Sequence, residues 1–291
     1  MRQKPEVTGF YEARTGSVQY VVADPATGKC AIIDPVLDYD EKSAATATVQ
    51  ADRLLQFIAD KGYVLEWILD THPHADHFSA ADYLKRRTGV QTAIGAAVVE
   101  VQKLWKGFYN WPDFPADGRQ WDRLFSDGDS FMVGSIPARV MFSPGHTLAS
   151  ITYVIGDAAF VHDTLFMPDS GTARADFPGG SAKVLWHSIQ GILALPDETR
   201  IFTGHDYCPD GREPMWESTV AAQKAGNIHL VKYRTEAEFI AAREARDATL
   251  PMPKLILHAL QINTKAGRLP EPEANGTRYL KIPMNLLSAP W

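Results

Sequence analysis

Between Thr71 and His77 the chain reads Thr-His-Pro-His-Ala-Asp-His, which puts three histidines and a carboxylate within six residues. The apolar run Val64 to Leu69 before it reads as a short strand, and Ser79 to Arg87 after it reads as a helix. A tight turn between strand and helix makes side chains converge at the strand's end. Imidazoles and a carboxylate converging there suit a borderline-to-hard metal such as Zn, Fe or Mn. One histidine is usually structural; four donor residues in an H-x-H-x-D-H spacing are not.

Length and charge narrow the setting. The chain has 291 residues, 45% of them hydrophobic, enough for one large α/β domain or a domain with an appendage. Its net charge is -6, and its longest basic cluster is Lys85-Arg86-Arg87, so a nucleic-acid role lacks an electrostatic footprint. No apolar run reaches the length of a membrane span, and residues 1–5 carry no apolar signal core. Cys30 and Cys208 are the only cysteines, so no disulfide framework is expected. A reducing, bacterial-type cytoplasm is the expected setting.

Short apolar runs, Val7 to Tyr11, Val18 to Val22 and Cys30 to Ile33, predict an antiparallel meander ended by Asp34-Pro35. Residues 44–59 have helical spacing, closed by Gly62. Val98 to Leu104 suggests a helix, followed by an aromatic-rich connection through Trp121 that either packs or walls a pocket. Further strands are expected over 130–133, 138–142, 151–155, 158–161 and 200–203, with a Ser181-capped helix over 182–195. Thr235 to Glu238 is a capping box for a helix to about Asp247, and a second helix spans 254–265. Residues 278–291 show no clear period. Strands followed by strand–helix units, twice over, predict a two-sheet sandwich flanked by helices.

Three more stretches place a polar ligand at a strand end: Ser143-Pro144-Gly145-His146-Thr147, His162-Asp163, and Gly204-His205-Asp206. In two of them a glycine beside the ligand allows a sharp turn or a close backbone approach. Each is weak alone. The four in this order are a strong signal.

That order resembles the metallo-β-lactamase superfamily over roughly residues 18–207. The resemblance implies an αββα sandwich of two mixed β-sheets flanked by helices, with a catalytic domain over 1–210 and a C-terminal helical extension over 211–291 packed on it. It also implies two metal positions. His72, His74 and His146 would hold the first; Asp76, His77 and His205 would hold the second; Asp163 would lie between them. One departure is His162, which stands where most of the superfamily has Gly.

Within the superfamily, the stretch Asp163 to Gly180, with its Arg174-Ala175-Asp176-Phe177 segment, looks like the persulfide dioxygenase branch. Gly204 to Tyr207 and Ile282-Pro283-Met284-Asn285 are similar to it as well. This implies a mononuclear non-haem Fe(II), one per chain, held by His72, His146 and Asp163. His74, Asp76, His77 and His205 would then surround the iron without binding it. The implied reaction oxidises glutathione persulfide with O₂ to sulfite and releases glutathione. The alternative is a glyoxalase II-type hydrolase of glutathione thioesters with two Zn, Fe or Mn ions.

Arg174 is a candidate clamp for a glutathione carboxylate, a structural salt bridge being the even alternative. Tyr207 is a candidate donor to bound substrate. Cys208 reads as a small buried thiol, with a polysulfide-reactive thiol as the alternative. His187, His229 and His258 read as structural or exposed. A homodimer or higher homo-oligomer is expected, with no nucleic-acid or membrane partner.

Overall fold

The computed structural model describes residues 4–287. The strands are β1 (Glu6–Glu12), β2 (Ser17–Ala23), β3 (Lys29–Ile33), β4 (Val36–Asp40), β5 (Ala45–Ala47), β6 (Val64–Leu69), β7 (Phe78–Ser79), β8 (Thr92–Gly95) and β9 (Arg123–Phe125). They continue as β10 (Ser130–Val133), β11 (Ile136–Phe142), β12 (Ile151–Ile155), β13 (Ala158–His162), β14 (Arg200–Thr203) and β15 (Glu217–Thr219). The helices are α1 (Val49–Lys61), α2 (Ala81–Thr88), α3 (Val98–Phe108), α4 (Ala182–Leu193), α5 (Val220–Gly226), α6 (Ile228–Lys232), α7 (Glu236–Asp247) and α8 (Ile256–Asn263).

Two six-stranded mixed sheets result, in the orders β1-β2-β3-β6-β8-β9 and β10-β11-β12-β13-β14-β15. In the first, β3, β6, β8 and β9 run parallel; in the second only β13 and β14 do. A small third sheet, β5-β4-β7, was not expected from the sequence.

The layering follows from residue alternation. In β2 every residue is buried, because both faces of the sheet are covered. Val18, Tyr20 and Val22 enter the core between the sheets, while Val21 and Ala23 enter the core beneath helices α1, α2, α3 and α8. In β13, Ala158 and Phe160 face the inter-sheet core, and Ala159 and Val161 face the layer that contains α4 and Phe239 of α7. The fold is the two-sheet sandwich flanked by helices that the sequence predicted, and Val154, Leu185, Ile189 and Ile192 anchor its outer layer.

Several boundaries differ. Residues 45–47 pair with β4, so the helix begins only at Val49. Short β8 and β9 escape notice because four- and three-residue strands carry too few alternations. The last helix is shorter than 254–265, spanning Ile256–Asn263. Ser181 caps α4 through Val184 N–H, and the Thr235–Glu238 capping box is present on α7. Residues 278–287 form no helix or strand, and the closing residues 288–291 lie outside the described ones. No helix among the described residues is long and apolar enough to cross a membrane.

Candidate metal centre

Each donor-bearing loop leaves the C-terminal end of a strand. β6 delivers residues 70–77, β11 delivers His146, β13 delivers Asp163, and β14 delivers His205. Crossing strands of two sheets therefore open onto one place. Glycine is needed at two points. A Cβ at Gly145, whose φ is +125°, would lie 2.2 Å from the Leu185 backbone nitrogen. A Cβ at Gly204 would lie 2.9 Å from the Asp163 carboxylate. Both are the glycines beside a ligand that the motifs contained.

His72, His146 and Asp163 come together as one buried group of donor atoms. Asp163 Oδ2 is 3.9 Å from His72 Nε2 and 3.6 Å from His146 Nε2. Each ring is held from its far side: His146 Nδ1 is 2.8 Å from the Arg174 carbonyl, and His72 Nδ1 is 3.0 Å from Thr71 Oγ1. The Arg174 carbonyl fixes the His146 tautomer, since only N–H can meet it. Buried His72 Nε2 has no hydrogen-bond partner among the described residues. An oriented imidazole with an unsatisfied buried nitrogen beside a carboxylate is what a metal would satisfy. Burial, and for His72 the neighbouring imidazoles, hold both rings below the usual histidine range. Neutral rings are the form that binds a metal.

The remaining donors form two further groups, His74 with Asp76 and His77, and Asp76 with Asp163 and His205. His205 lies between the carboxylates. Its Nδ1 is 2.5 Å from Asp163 Oδ1 and its Nε2 is 2.8 Å from Asp76 Oδ2. Burial disfavours the His205 cation, but Asp163 and Asp76 outweigh it and raise the pKa well above the ordinary value. The donor chemistry thus fits a metal centre of the superfamily.

Three residues that the motifs did not single out support these loops. Ser17, the first residue of β2, places its hydroxyl within 3.1 Å of His77 Nδ1 and His205 Nε2 and 3.0 Å from Asp76. Asp34 accepts from the Thr71 amide and hydroxyl and lies 3.1 Å from His74 Nε2. Asn263 is buried at the end of α8 and donates to the His74 and His77 carbonyls. The Asp34-Pro35 stop was visible in the sequence; nothing local marked Ser17 or Asn263.

A cavity of about 530 Å³ opens over Asp76, His146 and Asp163, walled by Phe166, Phe177 and Tyr207. Tyr207 stacks on His205, with ring centroids 5.6 Å apart. Arg174 also lines the cavity, but its guanidinium forms a fork to Asp176 at 2.6 and 2.7 Å and donates to the Pro251 carbonyl. Arg243 is likewise paired, with Asp247 at 2.7 Å. Arg246 stands at the same wall, exposed and without an acid partner among the described residues. His229, read above as structural or exposed, belongs to this wall; its Nδ1 accepts from the Thr172 amide at 3.0 Å. His187 is exposed, and His258 is half-buried against Tyr39. Cys208 is half-buried rather than buried, its thiol 3.5 Å from the Tyr11 hydroxyl.

His162, the departure from the superfamily pattern, has φ +40°, and β13 slips register there. That left-handed conformation is the reason glycine is common at such a position. The ring is held by the Ser143 and Thr164 hydroxyls, each 3.1 Å from Nε2.

The family model described as the metallo-β-lactamase superfamily matches residues 14–205. The chain is 69% identical to the beta-lactamase hydrolase-like protein of Xylella fastidiosa strain 9a5c, over 99% of this chain and 67% of that protein, so it spans about two thirds of that relative's length. It is 45% identical to glyoxylase B2 of Dictyostelium discoideum over 99% of both chains. It is 28% identical to the mitochondrial persulfide dioxygenase ETHE1 of Bos taurus, over 89% of this chain and 87% of that one. The crystal structure of ETHE1 from Myxococcus xanthus superposes with a TM-score of 0.72 at 30% identity, covering 90% of this chain and all of that one. The order of ligand-bearing strand ends, the two mixed sheets and these likenesses have one reading: the chain belongs to the metallo-β-lactamase superfamily.

Proposed function

We propose that the chain is a metal-dependent enzyme acting at the sulfur of a glutathione derivative. The observation that carries this is the convergence of His72, His146 and Asp163, the last two lining the floor of a cavity whose walls are aromatic and whose rim is cationic. A metal bound there supplies Lewis acidity and water activation for hydrolysis, or dioxygen activation for oxidation.

The chain's own residues would do the rest. The Arg174 carbonyl orients His146, and Thr71 orients His72. Phe166 and Phe177 exclude water from the thioester or persulfide. Tyr207, whose hydroxyl has no hydrogen-bond partner among the described residues, would donate to the bound peptide. Arg246, the unpaired cation of the wall, would meet a glutathione carboxylate. Arg174 would act through Asp176 by shaping the loop that carries it.

Of the two reactions, thioester hydrolysis is our first reading. It is supported by the name and full-length likeness of the 45% identical glyoxylase. It is supported also by seven donor residues, enough for two ions. Hydrolysis would place Asp76, His77 and His205 on the second ion, with Asp163 between the two. Persulfide oxidation by a single Fe(II) is the second reading. The specific observation in its favour is that His72, His146 and Asp163 by themselves form one fully buried group of two imidazoles and one carboxylate, the donor set of a mononuclear Fe(II) centre. The likeness to ETHE1 supports it too.

The test gives the purified protein S-lactoylglutathione and glutathione persulfide separately, with thiol release and O₂ consumption recorded together. Rapid thiol release from the thioester without O₂ uptake supports hydrolysis. O₂ uptake with sulfite formation, and little thioester turnover, replaces it with oxidation. Inactivity of the metal-loaded protein on both would overturn the proposal.

A further inference from the structure

Away from the metal, a second cavity of about 760 Å³ lies between the end of α2, residues 114–120 and residues 265–271. It shares no lining residue with the metal pocket. Its charge is opposite to that of the chain. The chain carries a net -6, yet Lys85, Arg86, Arg119, Lys265 and Arg268 line this cavity against only two carboxylates, Asp82 and Glu271.

Four of the five cations are tied to one acid each. Lys85 pairs with Asp122 at 2.6 Å, Arg86 with Asp82 at 2.9 Å, Arg119 with Asp117 and Arg268 with Glu271 at 2.5 Å. Lys265 is different. Its ammonium has no carboxylate or carbonyl partner among the described residues. It stands 3.7 Å from the Trp111 ring centroid and 5.6 Å from that of Phe114. Burial, with Arg268 adding a smaller effect, lowers its pKa below the ordinary lysine range. Contact with an aromatic face offsets only part of an ammonium's lost hydration. The aromatic-rich connection thus serves both ends foreseen for it: Trp105, Tyr109 and Trp121 pack in the core, while Phe114 walls this cavity.

We propose that this cavity is a binding site for a small organic anion. A carboxylate or phosphate head would pair with Lys265, and an apolar body would lie on Phe114, Pro115, Leu269 and Pro270. The head completes the ion pair that the protein leaves open. The paired arginines on either side keep unused N–H edges that add to the field without closing the cavity. The site requires no metal and does not rest on the reaction assigned above.

Calorimetric titration tests it, with phenyl phosphate, benzoate and inorganic phosphate as three separate probes. Phenyl phosphate and benzoate distinguish the two head groups, and inorganic phosphate isolates the head from the body. At least one aromatic probe should bind saturably, and more tightly than inorganic phosphate. Lys265→Met keeps the apolar stem on Trp111 and removes the charge. It should weaken that binding about tenfold or more, the loss of one charge-assisted contact, with an unchanged denaturation midpoint. Arg268→Gln, on an exposed side chain, should weaken it by a smaller factor. Any anion bound at the metal centre would be insensitive to both variants. Equal affinity in Lys265→Met, or no saturable binding of any probe, would overturn the proposal.

Discussion

Asn263 donates one amide hydrogen to the His74 carbonyl at 2.8 Å and one to the His77 carbonyl at 2.7 Å, across about 190 residues of chain. Its Oδ1 accepts from the Ser79 amide at 2.8 Å. The side-chain amide is thus spent on the loop that carries three histidines and on β7, which follows it. Asn263→Ala should leave two buried carbonyls and one buried N–H unsatisfied. A destabilisation of about 2–5 kcal/mol is expected from the cost of orphaned buried groups. Metal retention should fall with it, since the loop loses its outer anchor. Denaturant titration beside elemental analysis checks both, and unchanged metal content would show that the loop holds its shape unaided.

His162 puts two effects in opposition. Glycine at φ +40° would remove a backbone strain of about 1–2 kcal/mol. It would also empty a fully buried ring site and take a partner from the Thr164 hydroxyl, while Ser143 would keep Thr152. Deleting a buried ring costs about 3–5 kcal/mol, so the cavity outweighs the relief. His162→Gly should be less stable than the parent despite restoring the common superfamily residue. A higher denaturation midpoint for the glycine variant would reverse that ranking.

The number of ions can be read from Asp76. If a second ion is bound, Asp76 is among its ligands and Asp76→Ala should halve the metal content. If one ion is bound by His72, His146 and Asp163, Asp76→Ala should keep it and lower activity roughly 10–100-fold through the surroundings. His146→Ala and Asp163→Ala should each cost the ion of the first group in either case. Metal analysis of the four proteins separates these outcomes without an activity assay.

The donors were legible because each chemistry-bearing residue follows a strand and the short H-x-H-x-D-H spacing is local. The supports were not. Ser17 sits at the start of a mostly apolar strand, and Asn263 looks like any polar residue near a helix end. Their function comes from contacts 60 to about 190 residues away, which no local period encodes. The sandwich itself was legible from alternation, whereas β8, β9 and the β5-β4-β7 sheet are too short to show a period. His229, read as structural or exposed, does hold the Thr172 amide; its place on the cavity wall was not legible because it depends on α6 docking beside Thr172.

Arg174 and Arg246 make contrasting predictions. Arg174 is committed to Asp176 and to the carbonyls of Pro251 and Leu250. Arg174→Lys would lose the fork and disturb the loop whose carbonyl holds His146, so kcat should fall at least as much as KM rises. Arg246 has no such commitment. Arg246→Ala should raise KM for a glutathione substrate roughly 10-fold or more with kcat nearly unchanged, as loss of one charge-assisted contact does. The reverse pattern would exchange their roles and make Arg174 the anion clamp.

His229 gives the fold a defined acid sensitivity. Its Nδ1 accepts from the Thr172 amide, which requires an unprotonated nitrogen. Burial first, then the nearby Arg243, Arg246 and Lys232, lower its pKa to about 4. The unfolded chain keeps the ordinary value near 6.5. The folded state therefore binds fewer protons than the unfolded state between those values, and stability rises with pH there. The contribution is complete above about pH 6.5 and is lost as pH falls towards 4. His229→Gln retains an acceptor for Thr172 but does not titrate. Urea midpoints of the parent should consequently drop more steeply than those of His229→Gln between pH 6.5 and 4.5, while the two proteins differ by a constant amount above that window. Parallel curves throughout would mean that His229 titrates alike in the folded and unfolded chains, and that the cations beside it do not hold it neutral.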